Sequence, residues 1–196
     1  MAQTSTWKLD TNHTQVDFQI RRVPVSTVRG SFGGITGTVI WNEKDPSKCS
    51  VEAVIPTATI TTNNEMRDKD LKSANFFDVE KYPTMTFKST TVTGTLDKLH
   101  VTGNLTLAGV TKVVTFEVQG PAQPAKMGPR LILGFAATGA IKRSDFNFAP
   151  KYPTLILGDD IIFDVVRERE VEDGGNNCTN SETGLENKHD SVIESL

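Results

Sequence analysis

Apolar and polar residues alternate through most of this chain. Val16, Phe18 and Ile20 alternate with Gln15, Asp17 and Gln19, and Ile35, Gly37, Val39 and Trp41 share one parity. Val51, Ala53 and Ile55 follow after a turn containing Asp45-Pro46. The pattern resumes at Met85 and Phe87, then at Leu99, Val101, Gly103, Leu105 and Leu107. Val114, Phe116 and Val118 form a sixth segment, Leu131, Leu133, Phe135, Ala137 and Ile141 a seventh, and Ile161, Phe163 and Val165 an eighth. Period-two alternation of this kind predicts strands with one buried and one wet face. Ala108-Gly109 predicts a hairpin, and Gly120-Pro121 to Gly128-Pro129 a longer loop. Eight such strands pack as a two-sheet sandwich or close into a barrel.

One segment departs from the alternation. Thr62-Asn63-Asn64-Glu65 reads as a capping box, with the Thr62 oxygen satisfying an early amide. Good helix formers follow, with Met66 and Leu71 as a thin apolar stripe, and Pro83 stops the helix. A helix of about ten residues is therefore expected between the third and fourth strands, where it can cover one end of a barrel.

Composition supports the all-β reading. The 196 residues are only 37% hydrophobic, yet Thr 25, Val 18 and Ile 11 supply many β-branched side chains suited to a pleated surface. Residues 171–196 carry six carboxylates against Lys188, a net of −5 within a chain of net −3, so residues 1–170 stand near +2. That segment is sparse in apolar residues and reads as a disordered acidic tail after a single domain, 1–170. The weak net charge carries no footprint of nucleic-acid binding. No apolar run is long enough for a membrane span, so stable membrane insertion is not expected. The start lacks a basic region followed by an apolar stretch. The expectation is a cytoplasmic protein, periplasmic or secreted if a leader has been trimmed.

Chemical motifs are scarce. Cys49 and Cys178 are widely separated, and His13, His100 and His189 are scattered without zinc spacing, so neither metal nor cofactor is expected. Gly30-Ser-Phe-Gly33-Gly34 sits in a strand pattern and reads as relief for curvature or a bulge. His13 lies near Asp10 and Asp17 without a nucleophile, and His100 falls on a wet parity. What remains is apolar. An eight-stranded barrel is wide enough either to be filled by side chains or to hold one small ligand. Gly37, Gly103, Ala137 and Gly139 on apolar faces would leave space inside.

Several motifs occur together and in order. They are Trp7-Lys-Leu-Asp10-Thr-Asn-His13-Thr-Gln-Val-Asp-Phe18 and Val25-Ser-Thr-Val-Arg29-Gly30-Ser-Phe32, then Thr62-Asn-Asn-Glu-Met-Arg67-Asp68-Lys-Asp-Leu71-Lys-Ser with Phe76-Phe77-Asp78-Val-Glu-Lys81-Tyr82-Pro83 and Thr84-Met-Thr-Phe87. Gly103-Asn-Leu-Thr-Leu-Ala-Gly109-Val-Thr-Lys112 and Ile141-Lys-Arg143-Ser-Asp145-Phe146 complete the set. Over residues 7–169 the chain resembles the YceI family of lipid-binding, lipocalin-like proteins. It departs from the family at Ala108, where histidine is more usual, and at Asn147, where glycine is common.

The resemblance implies an eight-stranded antiparallel barrel around an apolar tunnel that takes a polyisoprenoid, isoprenoid quinone or fatty-acid derivative. The expected role is non-catalytic binding, transport or sequestration; the rivals are an enzyme acting on a lipid in the same cavity and a ligand-free interaction module. Candidate lining residues are Phe18, Ile20, Val39, Ile55, Phe76, Phe77, Phe87, Val101, Leu105, Phe116, Leu133, Phe135 and Phe163. Arg67, Arg143 and Lys151 are candidates for a headgroup, although Arg67 and Asp68 could instead pair with loop groups that fix the helix. Ten to fifteen buried methylenes would supply roughly 10 kcal/mol before association costs. A homodimer is a possible assembly.

Overall fold

The computed structural model describes residues 4–23, 25–120, 125–127 and 130–170. The predicted tail 171–196, with Cys178 and His189, and part of the predicted 120–129 loop lie outside the described residues.

Each predicted strand has a counterpart, but the seventh begins only at Phe135, with Leu131 in a separate short strand and Leu133 between the two. The counterparts are β1 (Thr4–Arg22), β3 (Thr36–Asn42), β4 (Ser50–Pro56), β5 (Thr84–Thr95), β6 (Lys98–Leu107), β7 (Val110–Gln119), β10 (Phe135–Lys142) and β11 (Leu157–Glu170). Hydrogen bonding runs in the cyclic order β1-β3-β4-β5-β6-β7-β10-β11, and β11 pairs antiparallel with β1, so the sheet closes into an eight-stranded barrel. Three shorter strands are additional: β2 (Ser26–Phe32), β8 (Ala125–Met127) and β9 (Arg130–Ile132). β1 pairs with β3 through Thr4–Lys8 and with β2 through Val16–Arg22. β2 and β3 therefore share one edge of β1 and behave as a strand broken at Gly33-Gly34. Gly34 has φ +66°, a left-handed conformation that glycine adopts at no steric cost. The glycine cluster is thus the curvature device that the sequence suggests.

The helix α1 (Glu65–Lys72) lies between β4 and β5, the third and fourth strands of the barrel. It is shorter than expected, and its N-cap is Asn64, whose side chain accepts from the Arg67 N–H at 3.0 Å. Thr62 is not the cap. Its hydroxyl donates to the Asp68 carboxylate and accepts from Arg67 Nε at 2.7 Å, while its carbonyl accepts from Arg67 Nη2 at 2.8 Å. Asp68 also accepts from the Thr62 N–H at 2.8 Å. No residue of α1 is fully buried, and these polar bonds, the following turn and the contact of half-buried Leu71 with the core hold it. The turn is anchored by Phe77 N–H donating to the Leu71 carbonyl at 3.0 Å.

Two apolar clusters fill the ends of the barrel. Trp7, Trp41, Leu99, Leu133 and Phe135 pack at the end where β1 begins, with Trp41 and Phe135 edge to face at 5.4 Å. At the helix end, Phe18, Phe32, Phe77 and Phe148 form a chain of ring contacts with centroids 4.8–5.5 Å apart. Such tilted arrangements add to the energy of area burial.

The β6–β7 hairpin turns on Ala108 and Gly109, at φ +47° and +79°. Two positive φ angles define the type I′ turn that matches strand twist, and the first of them suits Asn or Gly far better than Ala. Gly109 is fixed by packing too, because a β-carbon there would come within 2.6 Å of the Tyr82 ring. Asn147, the other departure from the family pattern, also has a positive φ, +49°. Ala108→Asn should therefore stabilise the protein by roughly 1 kcal/mol, raising the melting temperature by about 2–4 °C. Thermal unfolding followed by circular dichroism measures this; an unchanged or lowered midpoint would show that Ala108 is not strained.

Candidate ligand-binding site

Inside the barrel lies an apolar cavity of about 110 Å³. Its wall draws on β1, β3, β4, β5, β6, β7, β10 and β11, and among the described residues that line it Ser50 alone is not hydrophobic. Of the sequence candidates, Val39, Ile55, Phe87, Val101, Leu105, Phe116, Phe135 and Phe163 line it. The wall also includes Val16, Trp41, Ala53, Met85, Val92, Leu99 and Val165. Most of these share the inward parity of a predicted strand. Val92 does not continue the Met85–Phe87 parity, because β5 carries an extra residue, Thr90, between the pairs Ser89↔Gly103 and Thr91↔Thr102. That bulge turns the even residues inward.

The glycines do not create the space. A β-carbon on Gly103 would meet Phe87 Cζ at 2.7 Å, and one on Gly139 would meet the Phe116 ring at 2.5 Å. A neighbouring aromatic ring therefore lies over each, and Gly37 faces the β4 backbone and Leu9. Of the four small residues only Ala137 borders the cavity. Phe87 and Phe116 meet edge to face at 5.3 Å, and both are half-buried.

The remaining candidates sit elsewhere. Leu133 is 2% exposed within the packed end. Phe77 belongs to the aromatic plug. Phe18, Ile20 and Phe76 border a second space, an outer groove of about 550 Å³ between α1, the β1–β2 hairpin and residues 152–157. Its other walls include Val28, Leu71, Tyr152 and Leu157, with Arg22 and Arg67 at the side. Phe76 stacks on Tyr152 at 5.1 Å, so the plug separates the inner cavity from this groove.

The three headgroup candidates separate in role. Arg67 borders the groove, but its Nε and Nη2 are engaged by Thr62, as the loop-pairing alternative expected. Lys151 is exposed, with Nζ 3.5 Å from Asn75 Oδ1, and does not line the groove. Arg143 cannot serve a headgroup. It is 3% exposed, and all five N–H groups donate to carbonyls: Nε to Gly158, Nη1 to Phe148 and Ala149, and Nη2 to Tyr152 and Leu157, at 2.6–3.2 Å. Its parity follows from Phe135, Ala137, Gly139 and Ile141, which points it inward. The guanidinium instead organises the connection between β10 and β11, which forms one wall of the groove.

Asp159 completes that connection. It accepts from Ser144 N–H at 3.0 Å and Ser144 Oγ–H at 2.8 Å. Burial pushes its carboxyl up, but these bonds and the Lys142 and Arg143 charges outweigh burial and hold it below the usual carboxylate range. His13 Nδ1 lies 2.6 Å from Asp10 Oδ2 at an irregular stretch of β1. The His13 hydrogen bond, then the Asn12 N–H, hold the Asp10 carboxyl low. Neither residue lines the cavity or the groove.

A closed antiparallel barrel with an apolar interior and a helix over one end defines a lipocalin-like fold. The chain belongs to the YceI family, whose YceI-like domain matches residues 7–168. It is 42% identical over 150 residues to protein YceI of Salmonella newport and, equally, of Salmonella arizonae, covering 74% of this chain and 78% of each relative. Among solved structures, the Campylobacter jejuni YCEI protein superposes with a TM-score of 0.71 at 31% identity, covering 78% of this chain and 90% of that one. A polyisoprenoid binding domain from Saccharophagus degradans shares the fold at TM-score 0.62 and 16% identity, over 85% and 98% of the two chains.

Two predictions follow from the polar framework. Arg143→Lys leaves at least two of the five carbonyls without a donor, so stability to urea should fall by about 3 kcal/mol or more; a smaller loss would show that the loop is held by other means. For Asp159, the lowered folded pKa means that its stabilisation is complete above the unfolded value of about 3.9 and is lost as pH falls through the folded value. Urea midpoints at neutral and strongly acid pH should converge more in Asp159→Asn than in the parent. Equal acid sensitivity would remove Asp159 as a contributor.

Proposed function

We propose that this protein binds the chain of a long amphiphile inside its barrel, as a non-catalytic carrier or sequestering protein. The observation that carries this reading is the cavity itself: nearly all of its described lining is hydrophobic, and it lies inside a closed barrel. An apolar cavity of this kind stays dry and takes apolar ligands. The wall supplies chain burial rather than groups that make or break bonds. The Saccharophagus degradans relative is described as polyisoprenoid binding, which makes an isoprenoid the first chain to test here.

Size sharpens the mechanism. At about 110 Å³ the cavity is smaller than the engineered one of roughly 150 Å³ that accepts benzene. A long chain therefore enters only if the interior opens. Phe87 and Phe116 are placed to yield, since they pack edge to face on the cavity wall and are not fully buried. Swinging the aromatic plug would join the cavity to the outer groove and lengthen the tunnel. Each methylene buried contributes about 0.8 kcal/mol, so chain length dominates affinity and the headgroup stays at the mouth.

Titration with dispersed isoprenoid alcohols of increasing length, read by displacement of a fluorescent fatty acid, should give a gain of up to about fourfold per added CH₂ until the interior is full. Ala137→Phe should weaken the longest ligands by at least tenfold and leave the fold intact. Affinity that is independent of chain length, or unchanged in Ala137→Phe, would refute binding in this cavity.

A further inference from the structure

The helix end of the barrel carries an unusual concentration of exposed aliphatic residues. Val25 is 92% exposed, Met66 85% and Leu155 77%, with Val23 and Ile156 about half exposed. They come from three separate segments that meet at one place. Val23 N–H donates to the Ile156 carbonyl at 2.9 Å, tying the β1–β2 hairpin tip to the loop before β11. Met66 and Ile156 face the same outer groove. Met66 and Ile156 edge the groove itself, and Val23 and Leu155 lie beside it in the neighbouring hollow with Arg21 and Arg29, so the group forms a rim along one side of the opening through which the proposed ligand would pass. Scattered surface hydrophobes need no explanation, but a contiguous group bordering an apolar groove marks an interaction site.

Charge indicates what covers it. From Phe18 to Asn42 the chain has Arg21, Arg22 and Arg29 and no carboxylate, and from Phe146 to Gly158 it has Lys151 and no carboxylate. On α1, Glu65, Asp68 and Asp70 are balanced by Arg67, Lys69 and Lys72. The rim segments are therefore cationic within a chain of net −3. The nearby Asp159 and Asp160 are engaged with Ser144 and Lys142 on the connection from β10. Aliphatic tips flanked by arginines match a bilayer surface bearing anionic headgroups: side chains enter the interface while guanidinium groups stay at the phosphates.

We infer that this rim is a peripheral docking surface for an anionic lipid bilayer, seating the groove on the membrane so that a lipid chain passes between bilayer and barrel without crossing water. The inference rests on the lipid-binding reading, but it concerns a different surface with its own residues.

The test is co-sedimentation of the full-length protein with vesicles of phosphatidylcholine alone and with about a third phosphatidylglycerol. Binding should favour the anionic vesicles and fall as salt rises. Val25→Ser with Leu155→Ser should reduce partitioning at least tenfold, and Arg29→Gln, whose side chain lies beside Val23 and Leu155 and outside the groove, about fivefold for anionic vesicles only. In parallel, fluorescence titration of the same variants with dispersed geranylgeraniol should be unchanged, because none of these substitutions touches the inner cavity. No association with anionic vesicles, or association insensitive to the rim substitutions, overturns the docking surface. So does a parent that sediments as a dimer and becomes monomeric in the Val25/Leu155 variant, which would assign the rim to a second copy. Vesicle binding that meets these expectations while geranylgeraniol fails to bind the parent upholds the docking surface and overturns the ligand reading alone.

Discussion

The pairing of β1 with β11 is the interaction on which the rest of this structure depends. It joins the first strand to the last and leaves no open edge between them, from Thr14↔Arg167 to Ile20↔Ile161. Closure at eight strands also fixes the width of the interior. Inward side chains then fill that width incompletely. Aromatic residues cap each end, while the middle, where Phe87, Phe116 and Ala137 meet, keeps a cavity. Without closure the same residues would form one face of a sheet in search of a partner.

The helix end is built by a different principle. Here the connections carry polar groups inside, and each is matched. Arg143 binds five carbonyls of the β10–β11 connection, Asp159 takes two bonds from Ser144, and Asp68 and Arg67 clasp Thr62 beneath α1. Buried polar groups are costly only when partners are missing, so a matched set gives an irregular segment a definite shape. That shape matters because these segments, and not the barrel strands, carry the groove and its aliphatic rim. A rigid barrel supplies the interior, and the ordered loops decide what can reach it.

Most of the barrel was legible because alternation survives wherever both faces of a strand keep their character. The strands containing Val16–Ile20 and Leu99–Leu107 show this plainly. β2 was hidden because its inward positions are Val28, Gly30 and Phe32, and Gly30 lies under the Phe18 ring. The sequence cannot show that a neighbour's side chain occupies a glycine's place, and the same blindness made Gly103 and Gly139 read as empty space. Val92 was concealed by the Thr90 bulge, since an added residue reverses parity without any signature of its own. Arg143 shows the opposite error: its inward parity was present, but its charge argued for a headgroup site at the mouth. Only the five carbonyls that the following connection to β11 folds back onto it resolve that conflict. The cavity wall was therefore legible strand by strand, whereas the division into inner cavity, aromatic plug and outer groove depends on contacts between segments far apart in sequence.

Native mass spectrometry of the protein isolated gently from its source tests the central claim most directly. The account predicts a second species carrying one added mass that matches a long-chain lipid or isoprenoid and is released on denaturation. Protein that is uniformly free of added mass, and that remains so after incubation with dispersed isoprenoids, would contradict it.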